Sequence, residues 1–258
     1  MPVNGTKSPR RQVTVDGTSF NSFEFDNAVT GKERFIVPSW CGDYFRPDGE
    51  SMKHWEYQLQ LAREGKKHDL PDDRMRMPAS ELHQRMAKSF IDELLASSFN
   101  AFTTLLDVGC SDGYIVNYFN SRGKKACGID YFMYPTDRLY IEENKLEIHE
   151  MDMHSMEFGN DKFDAVWCRH TLEHGFAPMQ ILAEIHRVLK NGGLLFIILP
   201  PPPQPPLPYH GHWHQIPDYQ FKYLLEMCNF QVLSMKTVLF PYKTEHDNLE
   251  IRAICKKI

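Results

Sequence analysis

The sequence has few of the features that mark secreted, membrane-spanning or zinc-knuckle proteins. Its longest apolar run, residues 194–199, is far shorter than the roughly 20 residues needed to cross a bilayer. The first residues are polar and charged and do not form the apolar core of a secretory signal, so we expect a cytoplasmic protein without a membrane partner. The six cysteines lie at positions 41, 110, 127, 168, 228 and 255. They form no CxxC pair of the kind that binds zinc or forms a redox centre.

Basic residues are also in short supply. The 29 Lys and Arg residues against 34 Asp and Glu residues give a net charge of 29 − 34 = −5. Nucleic acid binding depends on clustered basic residues, so this balance disfavours a nucleic acid partner. The length of 258 residues with 42% hydrophobic residues fits one large α/β domain with an appendage.

The chain divides near residue 78. Residues 1–78 show little sustained periodicity apart from a possible hairpin at Asp16-Gly17, and we predict an irregular N-terminal extension that acts as a lid. Residues 79–258 form the main domain, which opens with a helix whose N-cap is predicted at Ser80. Short apolar runs then alternate with helical segments, which predicts parallel strands joined by helical crossovers. Two final apolar runs, joined by a short polar link, predict an antiparallel pair at the end of the sheet.

One strand-to-helix turn is suited to binding a ligand. In AFTTLLDVGCSDGYIV, which begins at Ala101, a buried strand ends at Asp107 and a helix begins near Gly113. Glycine at 109 and 113 lets the backbone approach a bound molecule, and the helix offers unpaired N–H groups at its first turn. The full GxGxxG fingerprint of dinucleotide sites is absent, because Gly109 is followed by CSDG. A tight structural connection is the alternative interpretation.

Two acids further along the chain strengthen the ligand interpretation. Asp130 ends the next apolar run about 20 residues after the loop, where doubly wound sheets place a carboxylate against a ribose diol. Asp152 and Met153 follow a short strand and suit the amino group and the ring of an adenine. Taken alone, Asp152 would be a solvated loop acid.

These residues occur in ordered blocks: LLDVGCSDGYIV, GIDYF, EMDMHSM, FDAVWCRHTLEH and EIHRVLKNGGLLFIILP. In this order they resemble the class I S-adenosylmethionine-dependent methyltransferases over about residues 80–258. The resemblance implies a Rossmann-like seven-stranded sheet, mostly parallel, with an antiparallel last strand pair. It also implies S-adenosyl-L-methionine as cofactor. The implied contacts are Asp107, Gly109, Cys110, Ser111 and Gly113 for the methionine end, Asp130 and Tyr131 for the ribose, Asp152 and Met153 for the adenine, and Cys168 and Arg169 for the pocket floor. Ser111 stands where the family usually has glycine.

Histidines cluster after two of the predicted strands. His170, Glu173 and His174 share one face if their turn is helical, and residues 210, 212 and 214 alternate as histidines. His170 and His212 are therefore candidate bases for an acceptor hydroxyl. The pattern also resembles the metal-binding turn of the small-RNA 2′-O-methyltransferases, which implies a divalent metal ion held by His170, Glu173, His174 and His212. Three imidazoles and one carboxylate favour zinc, iron or nickel over magnesium. The alternative is that His174 packs its helix and the later histidines form a polar loop.

We therefore predict a methyltransferase that uses S-adenosylmethionine and a small polar acceptor, an oxygen nucleophile on a sugar or biosynthetic intermediate. One alternative is an RNA-terminal 2′-O-methyltransferase, which the net charge disfavours. Another is a non-catalytic subunit that binds the cofactor and transfers nothing. A nicotinamide oxidoreductase is a third.

Overall fold

The computed structural model describes residues 11–15, 18–27, 31–38, 57–58, 60–67, 78–133, 135–202, 212–239 and 249–258. The strands are β1 (Arg11–Val15), β2 (Thr18–Asn27), β3 (Gly31–Pro38), β4 (Thr104–Val108), β5 (Lys125–Asp130), β6 (Ile148–Glu150), β7 (Phe163–Arg169), β8 (Leu189–Leu199), β9 (Phe230–Leu239) and β10 (Leu249–Lys257). The α-helices are α1 (Pro78–Leu95), α2 (Tyr114–Ser121), α3 (Pro135–Glu143), α4 (Pro178–Val188) and α5 (Asp218–Met227). Short 3₁₀ turns lie at Ser98–Asn100 and Leu172–His174. No helix in these ranges is both long enough and apolar enough to span a membrane.

Seven strands form the main sheet in the order β6-β5-β4-β7-β8-β10-β9. Neighbours from β6 to β8 pair in parallel, whereas β10 pairs antiparallel with both β8 and β9. The predicted Rossmann-like sheet with its antiparallel last pair is thus confirmed. The chain moves outward from β4 to β6 and then returns to the other side of β4 at β7. Ligands of open α/β sheets bind at the carboxyl ends of the strands beside such a reversal.

Helices cover both faces of the sheet because the central strands carry consecutive apolar residues, whose side chains point alternately to one face and the other. In β7, Ala165 and Trp167 pack with α1 and α2, whereas Val166 and Cys168 pack with α4 and α5. Helix α1 contributes a stripe at helical spacing, with buried side chains at Met86, Ala87, Phe90, Ile91 and Leu94. This helix begins at Pro78, so Ser80 lies inside it and the predicted N-cap is wrong. Proline suits a first helical position because the missing N–H has no intrahelical partner there.

Residues before α1 contain more regular structure than the sequence suggested. Strands β1, β2 and β3 form an antiparallel sheet. Val15 pairs with Thr18, which confirms the hairpin predicted at Asp16-Gly17. Nearer the main domain, Arg63 donates from Nε to Glu142 of α3 at 3.2 Å. Much of the predicted lid, including residues 1–10, 39–56 and 68–77, lies outside the described residues, and the lid stays a prediction.

Candidate active site

The glycine loop follows β4 and adopts a left-handed backbone at three positions. The φ angles are +78° at Gly109, +46° at Ser111 and +74° at Gly113. The backbone N–H groups of Gly109 and Cys110 donate to the carbonyl of Ile129 at 2.9 and 3.0 Å, which ties the loop to β5. Helix α2 starts directly after Gly113, as the sequence predicted.

Glycine is required at position 109 because of the residue that packs on it. A Cβ there would lie 2.1 Å from Thr171 Oγ1 and 2.4 Å from its Cγ2, far inside normal contact. Ser111, in contrast, accepts a left-handed backbone that glycine adopts more easily. Its N–H donates to Asp130 Oδ2 at 2.8 Å, a charge-assisted hydrogen bond that stabilises the conformation.

Carboxyl groups gather around this loop. Asp107 is only 2% exposed, and no group within the described ranges hydrogen-bonds to its Oδ2. Burial raises the pKa of Asp107 well above its usual value, and the nearby Asp130 and Asp112 raise it further. Burial also raises the pKa of Asp130, although the hydrogen bond from the Ser111 N–H opposes this. Such an acidic, poorly solvated pocket is suited to a cationic ligand.

A cavity of about 330 Å³ opens at this edge of the sheet. It brings together eight residues that the sequence analysis singled out: Gly109, Ser111, Asp130, Tyr131, Asp152, Met153, His170 and His174. Ile129, Phe132, Met151, His154, Thr171 and Phe176 complete its wall. Within it, Asp152 Oδ1 accepts from the backbone N–H of His154 at 2.9 Å and lies 2.8 Å from the ring Nδ1 of His154. This contact keeps the Asp152 carboxylate in place beside Met153.

Other predicted cofactor residues do not reach the cavity wall. Cys168 is fully buried in the core and Arg169 pairs with Glu250, and neither lines the cavity, so the pocket floor stays a prediction. Cys110 is buried beside Gly128, where a Cβ would lie 2.6 Å from its sulfur. Asp107 and Gly113 are also absent from the lining of this cavity.

His170 follows β7 and is held at both its backbone and its ring. Its φ of +50° is unusual for a residue with a Cβ, and its N–H donates to the carbonyl of Ile198 at 3.0 Å. Its Nε2 lies 3.1 Å from Glu250 Oε1, whereas its Nδ1 is 3.9 Å from Glu173 Oε1, too far for a hydrogen bond. Burial and the charge of Arg169 lower the pKa of His170 to about 4, so the ring is neutral at pH 7.

The four predicted metal ligands separate into a cluster of three and an outlier. Ligand atoms of Glu173, His174 and His212 lie within 4.8 Å of one another, whereas His170 contacts Glu250 and is not part of the cluster. His174 and His212 stack edge to face with ring centroids 4.7 Å apart. The structure thus groups three of the four predicted ligands, and the metal site stays a prediction. His212 is absent from the cavity wall but contacts His174, which is part of that wall, and residue 210 lies outside the described residues.

Glu173 is the buried member of this cluster. It is 1% exposed, and within the described ranges neither of its carboxylate oxygens has a hydrogen-bond partner. Burial raises the pKa of Glu173 to about 8. Its backbone carbonyl accepts from the N–H groups of Trp213 and His214 at 2.9 and 3.2 Å, which holds the histidine segment against the turn.

The sequence analysis missed Glu250 and Thr171. Glu250 and Arg252 stand two residues apart among the apolar residues of the first part of β10, which places them on one face of the sheet. A buried ion pair on the last strand could have been inferred from that pattern. Thr171 carries no comparable signal, because its importance depends on Gly109.

The chain is similar in sequence to known methyltransferases over its central third. A family model described as a methyltransferase domain matches residues 106–197. A ubiquinone biosynthesis O-methyltransferase of Aeromonas salmonicida is 32% identical over 98 residues, which cover 36% of this chain and 41% of that protein. A ubiquinone biosynthesis O-methyltransferase of Pseudomonas paraeruginosa is 30% identical over 99 residues, covering 36% and 43%. The chain thus spans about two fifths of the length of these curated relatives.

Solved structures show the same fold at low identity. A Burkholderia thailandensis 1,6-didemethyltoxoflavin-N1-methyltransferase, solved with S-adenosylhomocysteine, is 15% identical with a TM-score of 0.58, and the match covers 96% of this chain and 99% of that one. The [4+2]-cyclase SpnF is 17% identical with a TM-score of 0.59 over 80% of this chain and 94% of that one. Because one of these neighbours is described as a cyclase, the fold alone does not determine the reaction.

Proposed function

We propose that this chain, which matches a methyltransferase domain over residues 106–197, uses S-adenosylmethionine to methylate an oxygen nucleophile on a small polar molecule, a sugar or biosynthetic intermediate. One cavity carries this proposal, since its wall joins the glycine loop and Asp130 to His170 and His174. The oxygen acceptor is further supported by the curated O-methyltransferases that match residues of this domain.

The cavity wall fits the cofactor in charge and shape. The Asp130 carboxylate, which lines the cavity, has acceptor positions beyond those used by Ser111 and Phe132. Asp107 is not part of this lining but lies two residues before Gly109, and its Oδ2, which has no hydrogen-bond partner among the described residues, would suit an ammonium group. Met153 and Ile129 supply apolar surface for an adenine, with Asp152 beside them. When bound, S-adenosylmethionine supplies a sulfonium methyl group, whose carbon–sulfur bond breaks with the electron pair going to sulfur as the acceptor oxygen bonds to carbon.

His170 is the candidate base for the acceptor hydroxyl. It lines the cavity, it is neutral at pH 7, and its Nδ1 is not hydrogen-bonded to Glu173. The proton of the acceptor hydroxyl would pass to this nitrogen as the new bond forms. Holding the two reactants in line supplies most of the remaining acceleration. His212, the other base predicted from sequence, lies behind His174 and is assigned instead to the three-residue cluster.

We further propose that Glu173, His174 and His212 bind a divalent metal ion. Two imidazoles and a carboxylate form a donor set that suits zinc or a similar ion, and the buried oxygens of Glu173 would gain a partner. Such an ion would act as a Lewis acid that makes the acceptor hydroxyl more acidic.

Calorimetric titration with S-adenosylhomocysteine tests the cofactor assignment. We expect micromolar binding to the wild type, no binding of NAD, and loss of binding in Asp130→Ala. The control is Glu143→Ala, which removes an equal charge from an exposed position on α3 and should bind normally. Absence of binding to the wild type would contradict the proposal. Binding without methyl transfer to a panel of hydroxylated acceptors would favour the non-catalytic subunit.

Metal content tests the three-residue cluster. Protein purified without a histidine tag is dialysed against zinc sulfate and then against metal-free buffer, and its zinc is measured. We expect about one equivalent in the wild type, a large loss in His212→Ala, and no loss in His149→Ala, since His149 lies outside the cluster. Less than a tenth of an equivalent in the wild type would remove the metal proposal.

A further inference from the structure

Glu250 is a buried carboxylate at the centre of a charged network. It lies on β10 with no solvent exposure. Its Oε1 accepts from Arg169 Nε at 2.8 Å, and its Oε2 accepts from Arg252 Nε at 2.8 Å. The remaining neighbour is His170, whose Nε2 lies 3.1 Å from Oε1. Burying an unpaired charge is costly, but here two guanidinium groups compensate the negative charge of the carboxylate and therefore favour its ionised form.

The ionised carboxylate determines which ring nitrogen of His170 carries the proton. A carboxylate without a proton accepts hydrogen bonds and cannot donate one. The Nε2 of His170 must therefore be the donor in its contact with Glu250 Oε1. A neutral imidazole has one N–H, so Nδ1 is left unprotonated and able to accept a proton.

The geometry also restricts the orientation of the ring. The left-handed backbone of His170 is fixed by the hydrogen bond from its N–H to Ile198, and the ring is anchored to a different strand through Glu250. Strained residues of this kind cluster at functional sites, where surrounding contacts maintain them. His170 lines the cavity, so both restraints act on a side chain next to the ligand site.

We propose that Glu250 is a positioning residue that holds His170 in the Nε2–H tautomer, so that Nδ1 is the proton acceptor for the methylated hydroxyl. This assignment rests on the proposed function. Glu250 touches neither reactant and acts only through His170, in the way that a buried carboxylate orients the histidine of a hydrolytic triad. The same carboxylate stabilises the imidazolium that forms when Nδ1 takes the proton.

Nitrogen-15 NMR of histidine-labelled protein tests the tautomer directly. In the wild type at pH 7.5 we expect the His170 signals of an Nε2–H ring, assigned by their loss in His170→Gln. In Glu250→Gln we expect a tautomer mixture. For the same Glu250→Gln variant, measured with the best acceptor from the panel of hydroxylated molecules, we expect kcat to fall at least tenfold. Its affinity for S-adenosylhomocysteine should stay within threefold of the wild-type affinity.

The control is Glu184→Gln, which removes another buried carboxylate paired with an arginine, Arg187, away from His170. Both glutamine variants should lower the melting temperature, but only Glu250→Gln should change the tautomer and kcat. An Nδ1–H tautomer in the wild type would overturn the proposal, and that measurement needs no variant to fold. An unchanged tautomer and kcat in Glu250→Gln, or equal changes in Glu184→Gln, would also overturn it. If the wild-type protein does not bind S-adenosylhomocysteine, that result would instead refute the proposed function.

Discussion

Substituting Gly109 by alanine tests the packing that shapes the ligand loop. Two costs are expected. An alanine at φ +78° adopts the left-handed conformation, at about 1–2 kcal/mol. Its Cβ would also lie 2.1 Å from Thr171 Oγ1, and displacing a packed side chain costs about 1–3 kcal/mol. Gly109→Ala should therefore lower the free energy of unfolding by about 2–5 kcal/mol, measured by urea denaturation with tryptophan fluorescence, and should weaken S-adenosylhomocysteine binding.

Gly123 provides a matched control for this measurement. Its φ is +81°, but a Cβ there would meet nothing within 4 Å among the described atoms. Gly123→Ala therefore incurs the left-handed cost alone, and the entropy that alanine removes from the unfolded chain is common to both variants. The difference of about 1–3 kcal/mol reports the clash with Thr171. A double-mutant cycle with Thr171→Gly should recover that difference as coupling. Equal destabilisation of the two alanine variants, or additivity in the cycle, would refute the reasoning.

Three further variants have expected outcomes: Asp107→Asn, Met153→Ala and a chain that lacks residues 1–77. Asp107→Asn should stabilise the ligand-free protein at pH 7 but not near pH 4. Because the pKa of Asp107 is raised by folding, the folded state keeps a proton on this carboxyl group that the unfolded state loses above pH 4, so the contribution of Asp107 to the free energy of unfolding declines as pH rises. A difference in melting temperature between wild type and Asp107→Asn that does not depend on pH would contradict this. The same variant should bind S-adenosylhomocysteine about 10–100-fold more weakly by calorimetry, as expected for one lost charge-assisted hydrogen bond. Met153→Ala should weaken the binding of adenosine and of S-adenosylhomocysteine by the same factor, roughly ten for each ligand. The control Met235→Ala, on β9, should leave the binding of both ligands unchanged. Removing residues 1–77 should lower kcat/KM for the acceptor more than cofactor affinity, and equal losses would contradict a lid.

The cofactor half of the proposed site follows from local sequence patterns. Strands β4 and β5 are short apolar runs that end at the glycine loop and at Asp130, and parallel neighbours end at the same edge. The glycine loop and Asp130 therefore lie at the same edge of the sheet, and this placement can be predicted without knowing any contact between residues far apart in the chain. Asn229, which follows α5, has a φ of +61°, a left-handed backbone that asparagine tolerates better than most residues with a Cβ.

The acceptor half depends on strand register. Arg169 pairs with Ile198 across β7 and β8, and Ile198 pairs with Arg252 across β8 and β10. Only this register places Glu250 beside Arg169 and His170, which lie 81 and 80 residues away along the chain. The sequence pattern of HTLEH grouped His170 with Glu173 and His174 instead, since spacing alone carries no information about a competing partner.

The sequence by itself therefore determined the alternation of elements, the parallel sheet with its antiparallel end, the ligand loop and the acids at the strand ends. These features depend on hydrophobic periodicity, on backbone conformation and on neighbours close in the chain. The tertiary structure decided that Cys168 and Arg169 do not line the cavity, that Thr171 requires Gly109, and that Glu250 contacts His170. Each of these depends on contacts between strands or loops far apart in the chain, and the packing of the whole sheet sets them.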